Sequence, residues 1–288
     1  MHMEQRFTAV YKKIISSYVV VIILSVIMVA VISNTYASRM LQEEMINSGG
    51  EVTSRIGETL NQRVFETAES IWLQCAVREG QIGKALYDFT KLTQYDYYEI
   101  SARLLDIVSD HSDVVSSVDV YLGKPKVFLS SRGSGRVKFV EQSPDAIPAH
   151  LQEIVERGEA ASGWLPVASD SDMEESGFST NRVLTFYRTI PYLAESSIPF
   201  QGCVVVNVKA DALADILKSE PEGEVSFAVV DKNGVNLFHT GVVLPDAAAV
   251  NEMLRLDEER YYKNLNGFIM NATKLASEDL YIIRTVSE

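Results

Sequence analysis

"GCVVVNVKADAL", residues 202–213, is the stretch on which the fold turns. It alternates with a period of two. Cys203, Val205 and Asn207 fall on one side, Val204, Val206 and Val208 on the other. A run this rich in β-branched residues reads as a central strand. The all-valine side is expected to pack on helices, and the side that carries Asn207 to face a pocket. The apolar run then gives way to "DALADILK", a short helix with Asp211 placed as its N-cap.

Working outward, "RVLTFYRTI" (182–190) reads as a second central strand and Trp164 opens another strand region. Upstream, "VSSVDVYL", "KVFLSS" and "RVKFV" are short β-branched and aromatic runs, separated by "GKP" and by an "RGSG" hairpin turn. A short helix is expected at Ala149 to Glu156, and a long polar excursion at "ASDSDMEESGFSTN" (168–181). After Pro221 a smaller unit begins. "EVSFAVVDKNGVNLFHT" is strand, Asn-Gly turn, strand. A helix near Ala247 to Leu254 follows, then "GFIMNATKL" and "LYIIRTVS" as closing strands. The fold class is therefore α+β, with two antiparallel-sheet units and helices on one side of each.

Before the sheets the periodicity is helical. Val52, Ile56, Leu60, Val64, Ala68, Ile71 and Cys75 recur at steps of four with one of three, and a bend is expected at Gly49-Gly50. A second helical pattern runs through Leu86, Phe89, Ile100, Leu104, Ile107 and Val108 and exits at His111-Ser112-Asp113.

The chain opens on an apolar stretch. Between Ile14 and Ile32 there is no charged residue, and a run of about 20 residues matches a hydrocarbon core of roughly 30 Å. A retained anchor fits this length better than a signal peptide, whose apolar region is shorter and whose cleavage site is poorly matched by "TYA" at 35–37. Arg6, Lys12 and Lys13 precede the span, so the positive-inside rule puts the N-terminus in the cytoplasm and residues after about 34 outside. The formal charge is −13; residues 1–34 carry a net +2, which leaves −15 for the remainder. Such acidity argues against nucleic acid as a partner of this chain.

The chemistry of an enzyme is missing from the pattern. His2, His111, His150 and His239 are dispersed, and no metal-ligand spacing, calcium loop or nucleophile elbow occurs. No catalytic residue, metal or cofactor is expected. Cys75 and Cys203 read as two buried thiols rather than a disulfide. Asn271-Ala272-Thr273 fits a glycosylation acceptor in a eukaryotic secretory context only.

This organisation resembles the double Cache sensor domains of bacterial receptors. The residues that carry the resemblance are "GWLP" (163–166), "RVLTFYRTIP" (182–191), "GCVVVNVKADAL" (202–213) and "FAVVDKNGVNLFH" (227–239). "YKKIISSYVVVIILS" and "LNQRVFETAESI" are also similar to membrane-anchored AraC-type transcription regulators of Gram-positive bacteria, and less so to their sensor histidine kinases. The resemblance implies two PAS-like lobes: residues 1–13 cytoplasmic, 14–33 transmembrane, 34–112 a long signalling helix and a second helix, 113–220 a membrane-distal ligand lobe, and 221–288 a membrane-proximal lobe. It also implies a second span beyond Glu288, an output module after it, and a homodimer. Amino-acid-binding members carry an Arg-x-x-Trp-Tyr motif, missing here, and an Asp where this chain has Asn207. An amide cannot supply the charge that pairs with an ammonium. A sugar, a peptide fragment or a protein partner then fits at least as well, and a small polar ligand, sugar-like or other, is the expectation.

Tyr121, Trp164, Tyr187 and Asn207 lie on strands expected to frame that pocket, although aromatic side chains there also serve as core. Arg188 shares a strand face with Leu184, Phe186 and Ile190 and must either meet a ligand or be paired internally. The expected function is ligand sensing outside the membrane for signal transduction. The competing expectation is a singly anchored binding or assembly module without signalling output.

Overall fold

The computed structural model of the chain describes residues 2–77, 80–88, 92–132, 137–139, 149–157, 161–169, 182–191, 200–218, 225–256, 260–265, 268–276 and 279–287. The expected "RGSG" turn, apart from Arg132, most of the 168–181 excursion, and Phe89 lie outside the described residues. By contact the chain divides into two compact units, Met1–Gly49 and Gly50–Glu288.

Within the first unit, α1 (His2–Leu60) begins, and Gly49 and Gly50, where a bend was expected, are both helical. Its segment Ser16–Met40 is long and apolar enough to cross a membrane. Two hydroxyls in it are satisfied internally: Ser25 Oγ donates to the Val21 carbonyl (2.8 Å) and Thr35 Oγ1 to the Val31 carbonyl (2.7 Å). Such back-bonding is what a hydroxyl needs where water is absent.

The second unit holds two antiparallel sheets, as the α+β reading expected. α1 ends in a π turn, Asn61–Phe65, and helical structure resumes as α2 (Glu66–Ala76). α3 (Gln81–Tyr87) and α4 (Gln94–Asp110) follow. The larger sheet contains β1 (Val115–Leu122), β2 (Val127–Ser130), β3 (Val137–Phe139), β4 (Ser162–Ser169), β5 (Arg182–Ile190) and β6 (Gly202–Lys209). Its order is β3-β2-β1-β6-β5-β4, so the "GCVVVNVK" strand lies centrally, paired with both β1 and β5. α5 (Ala149–Arg157) is inserted between β3 and β4, and α6 (Ala210–Leu217) follows β6. Lys209 rather than Asp211 occupies the N-cap of α6, and Asp211 sits in its first turn.

The smaller sheet contains β7 (Val225–Val230), β8 (Asn236–Thr240), β9 (Arg260–Leu265), β10 (Phe268–Lys274) and β11 (Tyr281–Ser287), in the order β8-β7-β11-β10-β9. Strand β9 is an addition to the sequence reading. The Asn-Gly turn forms as expected: Asp231 Oδ1 accepts from the Asn233 and Val235 amides, and Gly234 takes φ +79°. α7 (Ala247–Leu256) covers one face through Ala249, Val250 and Met253. The other face meets α1, where Gly57 allows the close approach: a Cβ there would lie 2.9 Å from Leu275 Cδ2. Helices thus cover both faces of this sheet, not one. Asn271 lies in β10 at 3 % exposure, which removes it as a glycosylation acceptor.

The helical stripe is buried inside the unit itself. Ile56, Leu60, Val64, Ala68, Ile71 and Cys75 pack in one core with the valine face of β6 and with Leu275 and Ile282 of the smaller sheet. Steps of four residues over-rotate an α-helix by about 40° each, because one residue turns about 100°. Four such steps run from Val52 to Ala68. The π turn takes up one extra residue within that interval and keeps the stripe on one face.

Candidate functional site

Strand β6 sorts the larger sheet into two faces. Val204, Val206 and Val208 join Val118, Val120 and Leu122 of β1 and Leu184, Phe186 and Ile190 of β5 against the helices. The valine face is therefore the helix-packed one. The register brings different residues to the opposite face: Asn207 lies across from Ser117 and from Thr185, Cys203 across from Tyr121, and Asp119 across from Ser130. Toward one end this face is apolar, with Tyr121, Phe128, Cys203 and Val205 buried beneath Ile154 and Val155 of α5, Leu165, Tyr187 and Phe200. Burial pushes the Tyr121 phenol above its ordinary pKa and the Cys203 thiol up to about 12. The two cysteines are free thiols, and both are buried.

Toward the other end the same face carries a buried polar cluster. Thr185 Oγ1 donates to Asn207 Oδ1 (2.8 Å). Asn207 Nδ2 donates to Ser117 Oγ (2.9 Å) and to Asp119 Oδ2 (3.0 Å). Ser130 Oγ donates to Asp119 Oδ1 (2.6 Å), and Arg132 Nη2 donates to Asp119 Oδ2 (3.1 Å). The Asp119 side chain is 2 % exposed and that of Arg132 14 %. A buried carboxylate survives only when paired and hydrogen-bonded, and this one has both kinds of support.

The five residues singled out from sequence divide between the faces. Tyr121, Tyr187 and Asn207 share the face of the polar cluster. Trp164 and Arg188 are on the helix-packed face, so the five do not frame one pocket. Trp164 packs edge-on against Phe65 at 4.9 Å and lies 5.0 Å from Phe186. Arg188 donates from Nε to Ser162 Oγ (2.9 Å), lies 3.8 Å from Glu69 Oε1, and places its guanidinium 4.9 Å from the Trp72 ring. Of the two roles open to Arg188, the internal pairing is the one seen. Two-residue alternation explains the division: Phe186 and Arg188 share one parity, Thr185 and Tyr187 the other.

Sequence reading missed Ser117, Asp119, Ser130, Arg132 and Thr185. The signal for Asp119 was present, since "VSSVDVYL" sets Ser117, Asp119 and Tyr121 against Val118, Val120 and Leu122. A carboxylate inside a β-branched strand is a costly placement. Among the described residues no group of His, Cys, Asp and Glu is arranged to hold a metal ion.

No protein-family model and no curated protein matches the chain. Solved structures do. The extracellular domain of the protein named histidine kinase vpHK1S-Z8 superposes with a TM-score of 0.55 at 10% identity, over 85% of this chain and 95% of that one. A domain of a sensory box/GGDEF family protein from Vibrio parahaemolyticus gives 0.54 at 11%, over 85% and 97%. The sensory domain of the Campylobacter jejuni chemoreceptor Tlp3 gives 0.51 at 12%, over 88% and 97%. At these identities the likeness is one of fold: the chain has the two-sheet architecture of bacterial chemoreceptor and histidine-kinase sensory domains.

Proposed function

We propose that this chain is a membrane-anchored sensor, with residues after about 34 outside the membrane and a small polar ligand received by the larger lobe. The observation that carries the reading is the buried cluster of Asp119, Asn207, Ser117, Thr185, Ser130 and Arg132, on the sheet face away from the long helix. Support comes also from the shared fold with receptor sensory domains and from the apolar span Ser16–Met40. Tyr121, Tyr187 and Asn207 are the ligand residues kept from the sequence reading. The pairing of Asp119 with Arg132 favours an uncharged ligand with hydroxyl or amide groups. Ligand binding would shift the sheets against the long helix, a two-position element that the ligand biases. The output is of the AraC-type or histidine-kinase class, and the sensor works as a homodimer.

A thermal-shift screen of the full chain against sugars, amino acids and organic acids tests the reading, since a ligand of the native state raises its melting temperature. A neutral polar hit whose affinity falls in Asn207→Ala supports it. A hit of unchanged affinity in that variant, or no stabilisation by any compound, counts for the singly anchored binding module. Continuing the reading frame past codon 288 distinguishes the outputs: a second span with a helix-turn-helix region is one outcome, a kinase region the other.

A further inference from the structure

The face of the larger sheet away from the long helix changes character along β6. Ser117, Asn207 and Thr185 form one cross-strand row, Asp119, Val205 and Tyr187 the next, and Phe128, Tyr121 and Cys203 the third. The polar and the apolar row are four residues apart, roughly 13 Å along the strand, which one elongated small molecule can bridge. The apolar row lies under α5. Ile154 and Val155 of that helix pack on Tyr121, Phe128, Cys203 and Val205, a cluster separate from the main core on the other side of the sheet. The hold of α5 is slight: its described side chains, from Gln152 to Arg157, are half-buried or exposed. The ion pair of Arg157 with Glu153 lies within the helix itself. By contrast α7, which covers a face of the smaller sheet, buries Ala249, Val250 and Met253. An element with few buried apolar contacts opens at less cost than global unfolding. With α5 lifted, an apolar patch stands beside a hydrogen-bonded polar cluster, which is the make-up of a small-molecule site.

We propose that α5 is a lid on this face, and that it opens to admit an uncharged molecule with a polar end for the Asn207 row and an apolar end for the Tyr121 row. The proposal rests on the sensor reading and names the ligand class of its site. Hydroxyls of Ser117 and Thr185 and the Asn207 amide both donate and accept, which suits a hydroxyl or amide at the polar end. A charged end is disfavoured, because Asp119 and Arg132 already pair. An apolar end takes the place of Ile154 and Val155 against the patch and keeps water off it. A molecule without one offers the patch nothing.

The test is labelling of the two native thiols of the full chain in membranes by N-ethylmaleimide, read by mass spectrometry. Both thiols are buried and pushed up to about 12 in pKa, so a difference in rate reports access rather than ionisation. Cys203, under α5, is expected to react roughly tenfold faster than Cys75 in the main core, and low urea should speed Cys75 more steeply. Ile154→Ala with Val155→Ala should raise the Cys203 rate further and leave that of Cys75 unchanged. Phenyl β-glucoside and N-acetylphenylalaninamide should slow Cys203, and glucose and N-acetylglycinamide, which lack the apolar end, should not. Equal rates at the two thiols, a parallel urea dependence, or a Cys203 rate unmoved by the double substitution overturns the lid. The urea comparison uses the unsubstituted chain and decides even where the substitution perturbs folding. Protection by neither ring-bearing probe, or equal protection by their counterparts, overturns the ligand class. Labelling of unliganded protein does not depend on what the chain senses, so the lid can fail while the sensor reading stands; that reading is judged by the thermal-shift screen.

Discussion

Asn207 ties three strands together through side chains alone: Thr185 on β5, and Ser117 and Asp119 on β1. Its removal leaves Thr185 and Asp119 each short of a partner in a buried setting. Asn207→Ala should therefore destabilise by about 1–3 kcal/mol. Asp119→Asn keeps the shape but removes the charge that pairs with Arg132, and about 3–5 kcal/mol is expected. Denaturant titration of both variants checks this, and a loss within about 0.5 kcal/mol for Asp119→Asn would show that water already solvates the pair. Gly202 acts at the same scale. A Cβ there would come within 2.1 Å of the Tyr121 carbonyl oxygen, so only glycine lets β6 begin against β1.

Helix α4 starts with a capping box. The Thr93 amide and hydroxyl both donate to Asp96 Oδ2 (2.6 and 2.7 Å), and the Asp96 amide donates back to Thr93 Oγ1. The backbone bond from Thr93, and then its hydroxyl bond, hold the Asp96 carboxyl below its ordinary value. A lowered folded pKa means the contribution is complete above the unfolded value, about 3.9, and is lost as pH falls through the folded one. Thr93→Ala should cost about 1 kcal/mol, and the melting-temperature gap between it and the parent should narrow below pH 4. A gap independent of pH would show that the carboxylate takes no part. The π turn yields a second prediction. Deleting Gln62 turns it into a regular α turn while both flanks keep their faces, so the melting temperature should change little. Inserting one Ala at the same place swings Ile56 and Leu60 off the core by about 100° and should lower it sharply. Equal losses from the two changes would mean that the turn serves packing rather than register.

At the scale of the second compact unit, one core serves both sheets. Leu237 and Phe238 of β8, Ile282 of β11, and Leu275 and Leu280 between β10 and β11 belong to the same cluster as Leu60, Val64 and the valine face of β6. A displacement of the larger sheet is thus felt by the smaller one through shared side chains. The proposed orientation, with residues after about 34 outside the membrane, rests on Arg6, Lys12 and Lys13 before the apolar segment. Protease added to intact protoplasts should digest Val114 to Glu288, and complete protection of that region would reverse the topology.

The sequence by itself determined what depends on local period and composition. The helix long and apolar enough to cross a membrane followed from an uncharged run. The strand "GCVVVNVK", its helix-facing valines and the Asn-Gly turn followed from two-residue alternation and turn chemistry. Even the π turn had a trace, in a stripe whose steps exceed the helical repeat. Tertiary structure decided what depends on register between distant segments. Parity places Asn207 and Arg188 on opposite faces only once β5 and β6 are aligned, and Asp119 reaches Asn207 across 88 residues of chain. Likewise Arg132, in a turn after β2, becomes the counter-ion of Asp119 only because β2 folds back on β1. A single strand shows which residues share a side, but the partner on the next strand is chosen by hydrogen-bond register, which no local pattern encodes.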